Sequence, residues 1–244
     1  MLKQFGIYFI LMSNVFRRPD KWSAFRKQLM TEFYSLGVES LGIVAIISVF
    51  MGAVLAIQTA FNIDTPLVPM TMVGFTTRQG IVLEFSPTII SLILAGKVGS
   101  RIASEIGTMR STEQIDALEI MGVNPANFLI LPKIIASMLI NPFLITISIF
   151  LGLFGGWLAC ITTGLVASED YISGLRSWFN PFSITYAMIK TVVFAYIISS
   201  VSGFFGYTVK GGALDVGSAS TKAVVQSSIL IIIFNLILTQ LLLT

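Results

Sequence analysis

The chain has 244 residues, of which 55% are hydrophobic and only 11% are charged. Soluble globular domains carry about 25% charged residues, and disordered chains are poor in apolar ones, so both classes are excluded. The chain has no histidine, which excludes a Ser-His-Asp triad and a His-ligated metal, and its single cysteine, Cys160, excludes an internal disulfide. We expect no catalytic residue and no metal site in this chain, and no nucleic-acid partner.

Five stretches are apolar enough to cross a membrane, for which a helix needs about 20 mostly apolar residues. The predicted spans are Leu41–Phe61, Pro87–Gly107, roughly Leu139–Leu165, Ile184–Tyr207 and Ala223–Leu243. The sequence thus predicts an all-α integral membrane protein that forms a single domain over residues 1–244. Residues 1–40 are predicted to be an N-terminal interfacial segment with an amphipathic helix, because apolar residues there have helical spacing: Trp22, Phe25, Leu29, Phe33 and Leu36.

The second span is predicted to begin at Ser86, which can cap a helix, with Pro87 in the first turn. Glu84 would then lie just outside the helix, either stabilised by its N-terminus, which is favoured, or as a polar group at the mouth of a lipid pathway. Lys97 and Arg101, near the other end of the span, are expected to snorkel to the membrane surface.

The third apolar stretch, Phe128–Leu165, would be about 57 Å long as a helix, against a bilayer core of ~30 Å. Two spans are therefore possible, but the only interruptions are Asn141-Pro142 and Gly155-Gly156. We interpret the stretch as an interfacial start that leads into one tilted or kinked span.

Basic residues predict the orientation, because they concentrate on the cytoplasmic side of a membrane. The net charge is +3, and a five-span topology places ten basic residues on one side: Lys3, Arg17, Arg18, Lys21, Arg26, Lys27, Arg110, Lys133, Lys210 and Lys222. The opposite loops hold Arg78 and Arg176, while Lys190 is interpreted as a snorkelling lysine near the outer end of the fourth span. We expect a cytoplasmic N-terminus and a C-terminus on the opposite side.

A short amphipathic helix is predicted at Thr112–Met121, in the connection between the second and third spans. Ser111 and Gln114 have capping-box spacing, Gly122 can supply a left-handed C-cap, and Pro125 prevents continuation. The helix either lies on lipid or docks a cytoplasmic partner, and its three acids favour docking because anionic lipid would repel them. The candidate docking residues are Thr112, Glu113, Gln114, Ile115, Asp116, Leu118, Glu119 and Met121.

Small residues recur every four positions in the second span, at Ala95, Gly99, Ala103 and Gly107. This spacing lets helices approach closely in lipid, either within the chain or at a dimer interface. Gly96-Lys97 lacks the upstream glycine of a phosphate-binding loop, so we expect no nucleotide hydrolysis by this chain. A gradient-driven carrier and an intramembrane lipid enzyme are alternatives, and neither is favoured, because the spans lack mid-membrane acids and a nucleophile–base cluster.

Several segments resemble the MlaE-type (YrbE) permeases, the membrane subunits of MCE-associated ABC lipid transporters. The family's Glu-Leu-Gly-Pro, Ala-Gly-Arg-x-Gly and Ala-Glu-x-Gly-Thr-Met patterns correspond to Glu84–Pro87, Ala95–Gly99 and Ser104–Met109. The most specific block is Thr112–Glu119 with Met121–Pro125, and further matches lie at Phe205–Tyr207, Gly211–Ala213, Val216-Gly217 and Thr221–Val225. The departures are conservative, such as Arg to Lys at Lys97.

The resemblance implies a homodimeric permease in the bacterial inner membrane, in which Thr112–Met121 is the coupling helix for a cytoplasmic ATPase. ATP and Mg would be held by that ATPase, with no cofactor bound by this chain. A periplasmic MCE-domain protein would sit above the dimer, and phospholipid would move between the inner and outer membranes. The expected lipid path includes Leu67, Met70, Glu84, Leu92 and Lys97.

Overall fold

The computed structural model describes residues 2–17, 22–63 and 68–243. In this part of the chain the regular structure is helical, and five helices are long and apolar enough to cross a membrane. The predicted all-α membrane protein with five spans is therefore confirmed. In chain order the helices are α1 (Leu2–Val15), α2 (Trp22–Phe61), α3 (Thr71–Ser111), α4 (Gln114–Ile120), α5 (Pro125–Thr163), α6 (Ser168–Arg176), α7 (Phe182–Tyr207) and α8 (Ala213–Leu243).

The first two spans are longer than predicted, because π-helical turns let each helix continue. The amphipathic segment after Trp22 joins the first span through a π-helical stretch at Tyr34–Val38. The predicted start of the second span at Ser86 is wrong, since α3 already begins at Thr71 and Pro87 lies inside a π-helical stretch, Ile81–Ile89. In a π-helical stretch each backbone N–H bonds to a different carbonyl from the one that it reaches in an α-helix. The helix can therefore continue through Pro87, which has no backbone N–H.

The third apolar stretch is one unbroken helix, as interpreted from the sequence. α5 runs from Pro125 to Thr163 and begins with a side-chain cap, in which the Asn124 amide oxygen accepts a hydrogen bond from the Asn127 N–H at 3.3 Å. Pro125 occupies the first helical position, where a missing N–H costs nothing. Pro125 therefore starts α5 as well as ending the preceding segment.

The helices form two compact units. The first unit comprises Met1–Ser40, Leu92–Asn141 and Val192–Thr244, and the second comprises Leu41–Ser91 and Pro142–Thr191. The first contains α1, α4 and α8, and the second contains α6.

In the second unit, glycines bring the backbones of α2 and α5 into contact. A Cβ on Gly52 would overlap the carbonyl of Gly152, and a Cβ on Gly155 would overlap the carbonyl of Val49. Small residues at such a crossing let two helices gain close van der Waals contact in a membrane.

The same unit packs α6 tightly on the start of α3, in a region where the sequence predicts loops. A Cβ on Gly74 would overlap the Tyr171 carbonyl, and one on Gly174 would overlap the Thr71 carbonyl. The buried Tyr171 hydroxyl donates to the Leu153 carbonyl at 3.2 Å, and burial raises the pKa of Tyr171 well above its ordinary value.

Arg78 is not the loop residue that the sequence predicted, but a buried cap for α6. Its guanidinium donates to the carbonyls of Leu175, Ser177 and Trp178, at 2.5, 2.9 and 3.3 Å. The last carbonyls of a helix have no partner within the helix and attract cations, which explains why a buried arginine is stable there.

In the first unit, the small-residue stripe of α3 packs against helices of the same chain. A Cβ on Gly99 would lie 2.9 Å from the Ser202 hydroxyl of α7, and one on Gly107 would lie 3.2 Å from Val209 and Val216. Ala95 and Ala103 are fully buried. The stripe is therefore occupied by α7, α8 and the segment that joins them.

We predict that Gly52→Ala destabilises the protein, because the added methyl group would overlap the Gly152 carbonyl. Overpacking of this kind costs ~1–3 kcal/mol. The matched control is Gly42→Ala on the same helix, where a Cβ meets nothing within 4 Å and alanine favours the helix by ~0.5–1 kcal/mol. Thermal unfolding in detergent measures both variants, and equal melting temperatures would contradict the proposed contact.

Candidate functional site

The predicted docking helix is present, but it is shorter than expected. α4 covers Gln114–Ile120, and Glu113 precedes it in the left-handed conformation with φ of 60°. The predicted capping box is wrong, because the hydroxyls of Ser111 and Thr112 donate back to the Thr108 carbonyl at 3.0 and 2.8 Å. These residues complete the last turn of α3 and do not start α4.

The C-terminal end of α4 has the predicted left-handed glycine. Gly122 has φ of 76°, and its N–H donates to the Glu119 carbonyl at 2.9 Å. The Val123 N–H donates to the Leu118 carbonyl at 3.1 Å. The two hydrogen bonds form a Schellman motif, which satisfies carbonyls that the end of a helix leaves free.

The apolar stripe predicted on α4 turns from the interior to the surface. Ile115 is fully buried, Leu118 is half-buried, and Met121 is 67% exposed. Residues three apart are offset by about 60° around a helix, so a stripe built on that spacing drifts away from the core. Ile115 therefore anchors α4 within its own chain, and the structure does not make it available to a partner.

The most exposed apolar side chain of α4 is Ile120, at 88%, which is not among the docking residues predicted from the sequence. It lies outside the three-residue spacing of the stripe, so periodicity alone assigned it no role. We call Leu118, Ile120 and Met121 the apolar patch of α4. The sequence feature that could have identified this patch is the pair of adjacent apolar residues, Ile120 and Met121, at the end of a short helix.

Two of the three acids predicted to flank the stripe are engaged within the chain. Asp116 forms an ion pair with Arg110 at 2.6 Å, and Glu119 accepts a hydrogen bond from the Tyr207 hydroxyl at 3.4 Å. Thr112, Glu113 and Gln114 are exposed. Of the three acids, Glu113 is thus the one with neither an ion pair nor a side-chain hydrogen bond in the described part of the chain.

An ion triad joins three spans of the first unit, with Lys133 and Glu32 buried and the Glu105 side chain 45% exposed. The ammonium group of Lys133 on α5 lies 2.5 Å from a carboxylate oxygen of Glu32 on α2 and 2.8 Å from one of Glu105 on α3. Lys133 is 1% exposed and lies within α5, so it is not a residue of the connection between the second and third spans, in which the sequence predicts it to lie. A buried cation needs charge partners, and removing one partner of a buried pair costs ~3–5 kcal/mol.

Lys97 and Arg101 both reach Glu39 in the same unit. Lys97 donates to the Glu39 carbonyl, and Arg101 forms an ion pair with the Glu39 carboxylate. Lys97 was predicted to line the lipid path. In the structure its ammonium group joins α3 to α2 within the first unit.

A second buried ion pair lies in the second unit. The Lys190 ammonium group is 2.8 Å from a carboxylate oxygen of Glu84 and 4.3 Å from the centre of the Tyr186 ring. Lys190 is fully buried, so it does not snorkel, and Glu84 lies inside α3, so it is not at a helix N-terminus. A lysine without access to water requires a carboxylate partner.

The Glu84 side chain also remains partly accessible outside the ion pair with Lys190. Its side chain is 42% exposed, and its second carboxylate oxygen accepts a hydrogen bond from the Thr88 hydroxyl at 3.2 Å. The ion pair is therefore buried on the lysine side and accessible on the carboxylate side.

The other predicted lipid-path residues do not form one site within either unit. Leu67 lies outside the described residues. Met70, 41% exposed at the start of α3, belongs to the second unit with Glu84, whereas the half-buried Leu92 belongs to the first unit with Lys97. Among the described residues, no three His, Cys, Asp or Glu side chains converge so as to hold a metal ion.

The sequence profile described as Permease MlaE matches residues 29–241. The chain is 36% identical to a probable ABC transporter permease of Rickettsia prowazekii, over 96% of this chain and 88% of that protein. It is 30% identical to the intermembrane phospholipid transport system permease protein MlaE of Haemophilus influenzae, over 86% of this chain and 81% of that protein. It is also 33% identical to the chloroplastic protein trigalactosyldiacylglycerol 1 of Arabidopsis thaliana, over 95% of this chain and 66% of that protein.

We predict that Lys133→Met destabilises the first unit by ~3–5 kcal/mol, because it leaves Glu32 and Glu105 without their shared cation. The triple variant, which adds Glu32→Gln and Glu105→Gln, should recover part of the loss, since no buried charge is then unpaired. Thermal unfolding in detergent compares both with Lys222→Met, which removes an exposed lysine of α8. A Lys133→Met variant as stable as Lys222→Met would show that the triad does not hold the spans together.

Proposed function

Because the chain belongs to the MlaE permease family, we propose that it is the membrane subunit of an ABC transporter that moves phospholipid between membranes. The observation that carries the proposal is the family match over residues 29–241, together with a relative named for intermembrane phospholipid transport. ATP and Mg would be bound by a separate ATPase. No observation in the described residues favours a gradient-driven carrier.

The apolar patch of α4 is the proposed docking surface for that ATPase. Ile120 and Met121 expose apolar area at the C-terminal end of α4, the exposed acid Glu113 precedes its N-terminal end, and Ile115 fixes the helix to its own chain. Buried apolar anchors provide most of the affinity in protein interfaces, and charges at the rim favour the correct partner.

The position of α4 in the chain supports its role in passing force to the spans. Two residues separate it from α3, and four separate it from α5. Arg110 on α3 is also paired with Asp116 on α4. A movement of α4 would therefore be passed to α3 and α5 through short connections and one ion pair.

The ion triad would distribute that movement within the first unit. Lys133 ties α5 to α2 and α3, so the three helices move together unless the buried charges separate. Separation is costly in an apolar environment, and this cost favours a concerted movement.

Phospholipid is the proposed substrate, and Met70 and Glu84 are the proposed contacts for it in the second unit. Met70 offers an exposed apolar side chain, and Glu84 offers a carboxylate that is accessible beside its lysine. A path for acyl chains needs apolar walls, and few polar groups suffice to orient a headgroup.

The proposed assembly is a homodimer with a cytoplasmic ATPase and a periplasmic MCE-domain protein, in the bacterial inner membrane. The excess of basic residues in the N-terminal segment supports a cytoplasmic N-terminus and a periplasmic C-terminus. This orientation places α4 on the side where ATP is available.

We predict that Ile120→Asp weakens ATPase binding at least about tenfold, because loss of an interface anchor costs ~2 kcal/mol and every ~1.4 kcal/mol is tenfold. Ile120 tests docking better than Leu118, since Leu118 is partly packed within its own chain. The control is Phe179→Asp, which replaces an exposed apolar residue of the second unit. Co-purification and lipid-dependent ATP turnover measure the effect, and normal binding by Ile120→Asp would show that α4 is not the docking element.

We predict that a photo-crosslinking residue at Met70 captures phospholipid in a manner that depends on ATP turnover by the assembled transporter. The control position is Phe150 on α5, which is 70% exposed and should capture membrane lipid whether or not ATP is present. Mass spectrometry of the crosslinked protein measures capture. Identical ATP dependence at the two positions would contradict the placement of the lipid path.

A further inference from the structure

A cavity of about 740 Å³ lies in the first unit, where α1, the end of α4, the start of α5 and the end of α7 meet. Its volume is within the ~300–1,000 Å³ that is typical of sites for small ligands. The wall on the α1 side is apolar and formed by Ile7, Ile10 and Leu11. Three basic residues also line the cavity: Arg17, Arg110 and Lys210.

Two of these basic residues are free to bind an anion. Arg110 is paired with Asp116 and lies over the Tyr207 ring, so its charge is already compensated. Arg17 and Lys210 are exposed and form no ion pair with any side chain in the described ranges. The one acidic residue in the lining, Glu119, accepts a hydrogen bond from the Tyr207 hydroxyl. The cavity therefore keeps an excess of positive charge beside an apolar wall.

The backbone that carries Arg17 is held in place by two asparagines. The Asn127 side chain donates to the carbonyls of Val15 and Arg17 at 2.7 and 2.6 Å, and the Asn124 side chain donates to the Asn14 carbonyl at 3.2 Å. Asn127 is 5% exposed, so these hydrogen bonds are protected from water. These hydrogen bonds fix the backbone beside the cavity, so the part of its wall that carries Arg17 has a defined position.

α1 has the exposed apolar surface that is typical of a helix in a membrane interface. It exposes large apolar side chains, with Phe9 and Ile10 each 67% exposed, and a short apolar helix with this character lies in the lipid interface. The Tyr8 hydroxyl donates to Ser200 at 2.9 Å and holds α1 against α7. Burial raises the pKa of Tyr8 to about 12, so the hydroxyl stays protonated as a donor.

We propose that this cavity binds one anionic phospholipid. Arg17 and Lys210 pair with the headgroup phosphate, the glycerol region lies in the cavity, and the acyl chains leave along Ile7 and Ile10 of α1. Arginine and lysine both bind phosphate, and a phospholipid, unlike free phosphate, also uses the apolar wall. The site is separate from the proposed lipid path and does not depend on the proposed transport function.

Native mass spectrometry of the detergent-solubilised full chain tests the site, with phosphatidylglycerol, phosphatidylcholine and inorganic phosphate as probes. We expect one retained phosphatidylglycerol per chain, bound about tenfold or more weakly after Arg17→Gln with Lys210→Gln, since each basic residue near a membrane surface contributes several-fold in affinity. The matched control, Lys27→Gln with Lys222→Gln, removes two exposed charges outside the cavity and should bind normally.

A variant that keeps every charge separates shape from electrostatics. Thr208→Trp fills the cavity from an exposed position on its rim and should also release phosphatidylglycerol. The proposal is overturned if both charge variants bind phosphatidylglycerol equally, if phosphatidylcholine binds as well, or if inorganic phosphate competes at equal concentration. Lost ATPase binding with unchanged lipid binding in Arg17→Gln with Lys210→Gln would assign the cavity to a protein partner instead.

Discussion

Each buried cation in this membrane protein must find its counter-charge or carbonyl partners inside the protein, because hydrocarbon offers none. Lys133 is held by two carboxylates in the first unit, and Lys190 by one in the second. Arg78 pairs with no carboxylate among the described residues, and its guanidinium donates instead to three carbonyls at the end of α6 and just after it. In each case the partner comes from another helix, so the need to neutralise a charge also determines which helices touch.

Close backbone packing complements these polar contacts. Burial of apolar side chains gives little driving force in lipid, so helices associate through van der Waals contact, hydrogen bonds and ion pairs. The glycines at the crossing of α2 and α5 allow close van der Waals contact. A row of serine hydroxyls provides hydrogen bonds, in which Ser148 donates to Ser86 at 3.0 Å and accepts from Ser48 at 2.8 Å. The glycine contacts and the serine hydrogen bonds lie in the same unit and both join α2 to α5. Together they give these apolar helices a defined packing geometry.

The surface features follow from this frame. α4 has only two turns and would not be stable alone, because isolated helices of this length do not persist in water. It persists because Ile115 is buried, Asp116 is paired, and Gly122 closes the C-terminal end. With the inner face anchored in this way, Ile120 and Met121 remain exposed, and exposed apolar side chains of this kind are typical of interaction sites.

The amino-acid sequence by itself determined the class of protein, the number of spans, the continuous third span, the left-handed turn at Gly122 and the family. These depend on composition, on local turn chemistry and on short blocks of residues, all of which can be read along the chain. The sequence did not determine where α3 begins, because a proline such as Pro87 normally marks the start of a helix. Only the backbone conformation of Ile81–Ile89 shows that a π-helical stretch continues through Pro87.

Only the tertiary structure decided which charges pair and which face of α4 points outward. Lys133 and Glu32 are 101 positions apart, and Lys190 and Glu84 are 106 apart, so no local pattern could join them. The stripe on α4 was correctly predicted to be apolar, yet its first member faces the core and its last faces outward. Spacing along a helix specifies relative angles, whereas the absolute direction depends on the neighbour against which Ile115 is buried.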